Sequence, residues 1–179
     1  MIVNSSILRS KPHLKVLQGW NGNESRGLTK TAKPKADEGI ESGMAIRLDA
    51  QGEWVKADTA FVSGPIYFAW EDQSAPIVEA GGVLLGLSSL GDYKMQTAQI
   101  DPAATFTVGA ELAVGTGATA GLLIARADAS ASRVGFCDKA KFSLGASQTT
   151  TTYTPPVDNS SASLDVIQFT TSFEVGTGS

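Results

Sequence analysis

Residues 106–138 read FTVGAELAVGTGATAGLLIARADASASRVGFCD, and how this stretch folds decides the class of the whole chain. Gly115, Gly117 and Ala120 fall in the order G-x-G-x-x-A after the apolar run AELAV, and Asp138 stands about twenty residues on. That is close to the fingerprint of a dinucleotide-binding strand, turn and helix, with an acid placed to hold a ribose. Such a loop works only inside a parallel sheet built from several strand–helix–strand units. Before residue 106 the chain alternates short β-like runs with turns and shows no credible helix. After Asp138 only 41 residues remain, about half of them polar linker. Glu111 also interrupts AELAV, unlike a fully buried parallel strand. GATAGLLIARADASA is compatible with a helix on composition alone. The stretch as a whole reads as a hairpin, with glycines supplying the positive φ angles of a tight turn. No cofactor is expected.

Upstream, GMAIRLDAQGEWVKAD reads as strand, AQGE turn, strand: Ile46 and Leu48 alternate with Arg47, and Trp54 and Val55 precede Lys56. FVSGPIYFAWED, GGVLLGLSSLG and DYKMQTAQI continue the series of β-like runs, punctuated by many of the 19 glycines and 7 prolines. A loose internal echo links two segments. Gly43, Ile46 and Leu48 lead to Ala57-Asp58 and Gly64; Gly109, Leu112 and Val114 lead to Ala127-Asp128 and Gly135. The second copy carries GTGATAG where the first has its hairpin turn.

Downstream, SLGASQTTTTYTPPVDNSSAS is a low-complexity Ser/Thr/Pro stretch, read as an exposed linker. It leads into SLDVIQFTTSFEV, where Ile167, Phe169, Thr171, Phe173 and Val175 share one parity and Gln168, Thr170, Ser172 and Glu174 the other. That alternation marks a half-buried strand. A strand on such a tether either closes its own sheet or pairs with a neighbouring subunit, and Ile167, Phe169 and Phe173 are candidate partner contacts on the second reading.

The charge is uneven. Residues 1–38 hold Arg9, Lys11, Lys15, Arg26, Lys30, Lys33 and Lys35 and carry a net +4, whereas the other 141 residues carry −8. The segment reads as a solvated tail, or as an arm whose basic residues lie on an acidic neighbouring surface. Trp20, alone in this polar segment, is a candidate anchor in a partner's pocket or on the chain's own body. Nucleic acid is not expected as a partner, because the acidic body would oppose a polyanion. No run of eighteen apolar residues occurs, so no membrane association is expected, and the first residues lack the layout of a signal peptide.

Catalytic constellations are thin. His13, the single histidine, lies beside Pro12 in the basic segment, and one His with one Cys does not compose an ordinary zinc site. No G-x-S-x-G elbow occurs. Cys137 reads as a small packed hydrophobe, and Glu71 with Asp72 as surface charge. Trp54 and Trp70 read as core or sheet-face residues; exposed beside Tyr67, they would instead suit a glycan-binding β module.

The string FTVGAELAVGTGATAGLLIARADASASRVGFCDKA is similar to a signature of small tailed-phage capsid decoration (cement) proteins: a G-x-x-L strand, a Gly-rich turn, an A-x-A strand and a V-G strand. ESGMAIRLDAQGEWVKADTAFVSGPIYFAWED resembles the opening hairpin of the same family, so the resemblance covers roughly residues 39–140. It implies an all-β chain with a compact sandwich- or barrel-like body of the β-tulip type. It further implies a non-enzymatic protein made in the host cytoplasm and held on the outside of a phage head. There it would bind the major capsid protein and self-associate, commonly as a homotrimer. The expected layout is an extended basic arm (1–38), a β body (39–145), a linker (146–162) and a C-terminal strand with tail (163–179). A tail or fibre-attachment component would share these features.

Overall fold

The computed structural model describes residues 14–18, 29–58, 64–90, 93–144 and 164–177. Among them run eleven strands: β1 (Leu14–Gln18), β2 (Thr29–Ala32), β3 (Ala45–Leu48), β4 (Trp54–Lys56), β5 (Tyr67–Ala69), β6 (Leu84–Ser88), β7 (Lys94–Thr97), β8 (Glu111–Val114), β9 (Leu123–Ala125), β10 (Arg133–Leu144) and β11 (Leu164–Glu174). They form two antiparallel sheets, a six-stranded one in the order β1-β7-β11-β10-β8-β9 and a five-stranded one in the order β2-β6-β5-β3-β4. The fold is all-β, as the turn-punctuated runs predict. β8 and β9 pair antiparallel, with Ala113 opposite Ile124, so GTGATAG is the connection of a hairpin and not the turn of a parallel dinucleotide unit.

The two sheets face each other across one shared core. Phe68 and Leu87 from the smaller sheet meet Met95, Leu112, Val134, Ile167 and Phe169 from the larger one. Phe68 and Phe169 make the central aromatic contact, 5.2 Å between ring centroids at 59°, a tilted geometry that suits two ring quadrupoles. Cys137 is buried in this cluster, and burial together with Asp138 raises its thiol pKa. It packs as the small hydrophobe its surroundings suggest, far from the thiolate a nucleophile needs.

The five-stranded sheet has a second apolar cluster on its other face, formed by Ile40, Ile46, Trp54, Ala69 and Leu84. This explains why β3 does not simply alternate: Ala45 and Ile46 are both fully buried, each in a different core. The sheet is also strongly curled. Residues 33–35 continue directly from β2 at one edge and meet β4 at the other: the Trp54 amide donates to the Lys33 carbonyl (2.8 Å) and the Lys35 amide to the Trp54 carbonyl (2.9 Å). A single parallel bridge, Pro34 to Trp54, therefore joins the two edges around the indole. The architecture is a sandwich with one curled layer; beyond this bridge the described residues do not form a regular closed barrel.

The β body does not begin at residue 39. Within 1–38, β1 pairs with β7 (Lys15 opposite Gln96) and β2 pairs with β6 (Lys30 opposite Gly86). Edge strands need only one covered face, so LKVLQ and TKTA keep polar residues and escape a reading tuned to apolar runs. One helical turn, Pro76–Glu79, stands where the sequence leads one to expect no helix. Its local signals are a proline at the first helical position and Gly81 just past its end with φ of 88°.

Candidate interaction surface

GTGATAG forms a corner where the two echoing hairpins lock together. Gly121, buried with φ of 80°, donates to the Ala57 carbonyl and accepts from the Ala45 amide, both at 2.8 Å. The left-handed φ of 58° at Gly117 aims its amide at Asp58, whose Oδ1 accepts at 2.6 Å. Gly115 is glycine for a different reason: a Cβ there would lie 2.6 Å from the Thr119 carbonyl oxygen. The amide that a phosphate would have claimed thus binds the chain's own carboxylate. Asp138, the acid that the fingerprint would put on a ribose, accepts from Thr170 Oγ1 at 2.7 Å and lies 3.9 Å from Lys94.

Four charges fasten the other end of the six-stranded sheet. Arg126, its side chain 4% exposed, donates to Glu111 Oε2 at 2.6 Å and lies 3.6 Å from Glu174. Arg133 reaches Glu111 at 3.0 Å and Glu174 at 2.8 Å. Arg126 also donates from Nε to the Ala131 carbonyl at 2.9 Å, and Arg133 lies 4.5 Å above the Phe136 ring. Hydrogen bonds from Arg126 and Arg133 hold the Glu111 carboxyl below its ordinary pKa. Two arginines balance two glutamates, so the cluster ties β8, β10 and β11 to the loop after β9. These residues lie 63 positions apart at the extremes, and nothing in their local sequence announces that they meet.

The structure separates the sequence-predicted contact residues. Arg9, Lys11, Trp20 and Arg26, with His13, lie outside the described residues. Lys15 is on the edge strand β1. Lys30, Lys33 and Lys35 are exposed near the seam of the curled sheet, and Lys35 lies 3.9 Å from Asp49. Ile167 and Phe169 take the first of the two readings of their strand in this single chain, the one in which it closes its own sheet. β11 sits between β10 and β7 of its own sheet, and both side chains are fully buried in the shared core. Phe173 is half-buried against the same cluster. The parity argument found the buried face of this strand; what it faces is the chain's own second sheet.

The aromatics tell against a glycan platform. Trp54 is fully buried, donates from Nε1 to the Leu84 carbonyl at 2.8 Å and packs on Tyr67 with centroids 5.0 Å apart. Trp70 packs on the shared core. Asp72 accepts the Ser42 amide at 2.7 Å, so it fastens a loop.

Sequence reasoning also missed a groove of about 590 Å³ between residues 33–41 and 73–82. Gln73 holds its two walls together, accepting from the Ile40 amide at 3.1 Å and donating to the Lys35 carbonyl at 2.8 Å. Asp37, on its rim, has φ of 60°, a left-handed conformation that Asp tolerates better than most residues. Among the described residues no group of three or more His, Cys, Asp or Glu side chains is placed to hold a metal ion, and no helix is long and apolar enough to cross a membrane. Against family models, curated proteins and solved structures, the chain gives no match.

Proposed function

We propose that this chain is a non-enzymatic structural protein of a tailed-phage head, bound to the outside of the shell and bridging neighbouring major capsid subunits. One observation carries the reading. Several convergent polar groups of the described body fasten it to itself: the Gly117 amide on Asp58, Arg126 and Arg133 on Glu111 and Glu174, and Asp138 on Thr170. A body knitted in this way suits a mechanical part that resists deformation in many copies. The sequence resemblance over residues 39–140 supports a place on the phage head, and the basic residues of 1–35 would suit acidic neighbours.

A tail or fibre-attachment role is the second reading, since it asks the same rigidity of the body. The glycan-module reading loses its platform with Trp54 in the interior. The test is co-sedimentation of the purified protein with heads that lack it. Saturable binding to heads, with no binding to tails, is the expected result. Binding confined to tails would move the protein to the second reading, and binding to neither would end both.

A further inference from the structure

The chain uses one five-strand unit twice. β2 to β6 assemble in the order β2-β6-β5-β3-β4, and β7 to β11 repeat that order as β7-β11-β10-β8-β9. The likeness extends to single hydrogen bonds. Gly43 and Gly109, 66 positions apart, take φ of 89° and 84° and donate to the carbonyls of Ala69 and Cys137, both at 2.7 Å. One residue later, the Met44 amide donates to the Glu41 carbonyl and the Ala110 amide to the Thr107 carbonyl. The seam at Trp54 recurs as well: the Leu123 amide donates to the Gln99 carbonyl and the Asp101 amide to the Leu123 carbonyl, both at 2.9 Å. The units differ at their first edge. β7 carries β1 as an added antiparallel strand, with Leu14 opposite Thr97, Lys15 opposite Gln96 and Val16 opposite Met95. β2, its counterpart, pairs among the described residues with β6 alone. We propose that the outer edge of β2 takes an acidic extended segment of another protein as an antiparallel strand, as β7 takes β1.

The backbone of β2 is oriented for such a strand. The Lys33 carbonyl and the Lys35 amide turn to the seam. The two-residue alternation of a strand therefore turns the amides and carbonyls of Thr31 and Thr29 the same way, away from β6. Thr97 and Met95, which meet β1, stand in the same relation to Gln99 and Asp101. An edge with its backbone groups turned outward is a template for strand addition, and Lys30 and Thr31 are exposed on this one. Charge selects the occupant. Lys35 lies 3.9 Å from Asp49, whereas Lys30 and Lys33 are exposed and make no ion pair among the described residues. In the register that β1 takes on β7, the residue facing Lys30 is the counterpart of Lys15. A second copy offering β1 would set Lys15 against Lys30, and like charges directly opposite are unfavourable. An acidic residue in that place pairs with Lys30 instead. The proposal does not depend on the phage-head reading, and its test uses no heads.

The test is a titration of the full chain, followed by NMR and by amide hydrogen exchange, with a synthetic peptide of residues 12–19 carrying Lys15→Glu. The unaltered peptide is the control. The acidic peptide should bind about fivefold or more tighter than the control, and it should slow exchange at the Thr29 and Thr31 amides. Lys30→Glu in the chain should reverse the preference between the two peptides. Thr31→Pro removes an outward amide and no ladder bond to β6, so it should weaken binding of the acidic peptide by about tenfold or more. Native Trp54 emission checks that the proline variant folds; where it does not, the Lys30→Glu reversal and the exchange pattern decide. Absence of binding by the acidic peptide, equal affinity of the two peptides, or protection elsewhere with Thr29 and Thr31 unchanged would overturn the proposal. Peptide binding at this edge without binding to heads would leave it standing and defeat the phage-head reading alone.

Discussion

Gly86 sets how closely Trp54 can lie against β6. A Cβ at this position would sit 3.0 Å from both the indole and the Tyr67 Cβ, so Gly86→Ala must displace the aromatic pair or bend the strand. Urea denaturation should show a loss of about 1–3 kcal/mol, the usual cost of overpacking a core. Glu111 makes a second residue-scale prediction. Its folded pKa is depressed from 4.5 by Arg126 and Arg133, so its contribution is full above the unfolded value and is lost as pH falls through the folded one. Stability should therefore decline below about pH 4.5, and Glu111→Gln should flatten part of that decline at a cost near neutral pH. The side chain is 38% exposed, so solvent screening keeps the effect modest. Asp49 and Asp128, also depressed by local hydrogen bonds, continue to titrate in the variant. An acid limb as steep in Glu111→Gln as in the wild type would remove the network from the account.

At the scale of elements, the hairpins were legible and the edges were not. The turn residues of DAQGE and GTGATAG specify their connections locally. Asp49 accepts the amides of Gln51 and Glu53, both at 2.9 Å, and Gly52 takes φ of 79°. β2 is different: TKTA becomes a strand only because β6 and the seam at Trp54 await it, and no local pattern records that. The consequence is measurable. Deleting residues 1–13 leaves the seam in place and should leave the Trp54 emission unchanged. Deleting residues 1–35 removes the seam and should expose Trp54, shifting its emission to the red. If both truncations keep the native spectrum and transition, the seam has no structural role. β11 makes the complementary case. Its central place between β10 and β7 predicts that cutting at a protease site engineered within 145–163 leaves the two fragments associated through gel filtration. Prompt separation of the fragments would show that the ladder does not hold without the covalent link.

At the scale of the molecule, the candidate surface was the least legible part. The network of Glu111, Arg126, Arg133 and Glu174, and the groove between 33–41 and 73–82, are assembled by sheet topology from residues distant in sequence. Basic residues clustered within 1–38 were visible as a charge excess, yet the placing of Lys15 and Lys30 on edge strands needed the fold. The dinucleotide-like glycines were visible too, and the topology reassigns them to a corner closed by Asp58. What remains is a body in which several polar groups brace the chain's own strands. The most direct measurement is co-sedimentation of the full chain with phage heads that lack it, at increasing protein concentration. The account predicts saturation at a fixed number of copies per head and greater resistance of the filled heads to heat-induced DNA release. Failure to bind heads, or binding that leaves their heat resistance unchanged, would contradict it.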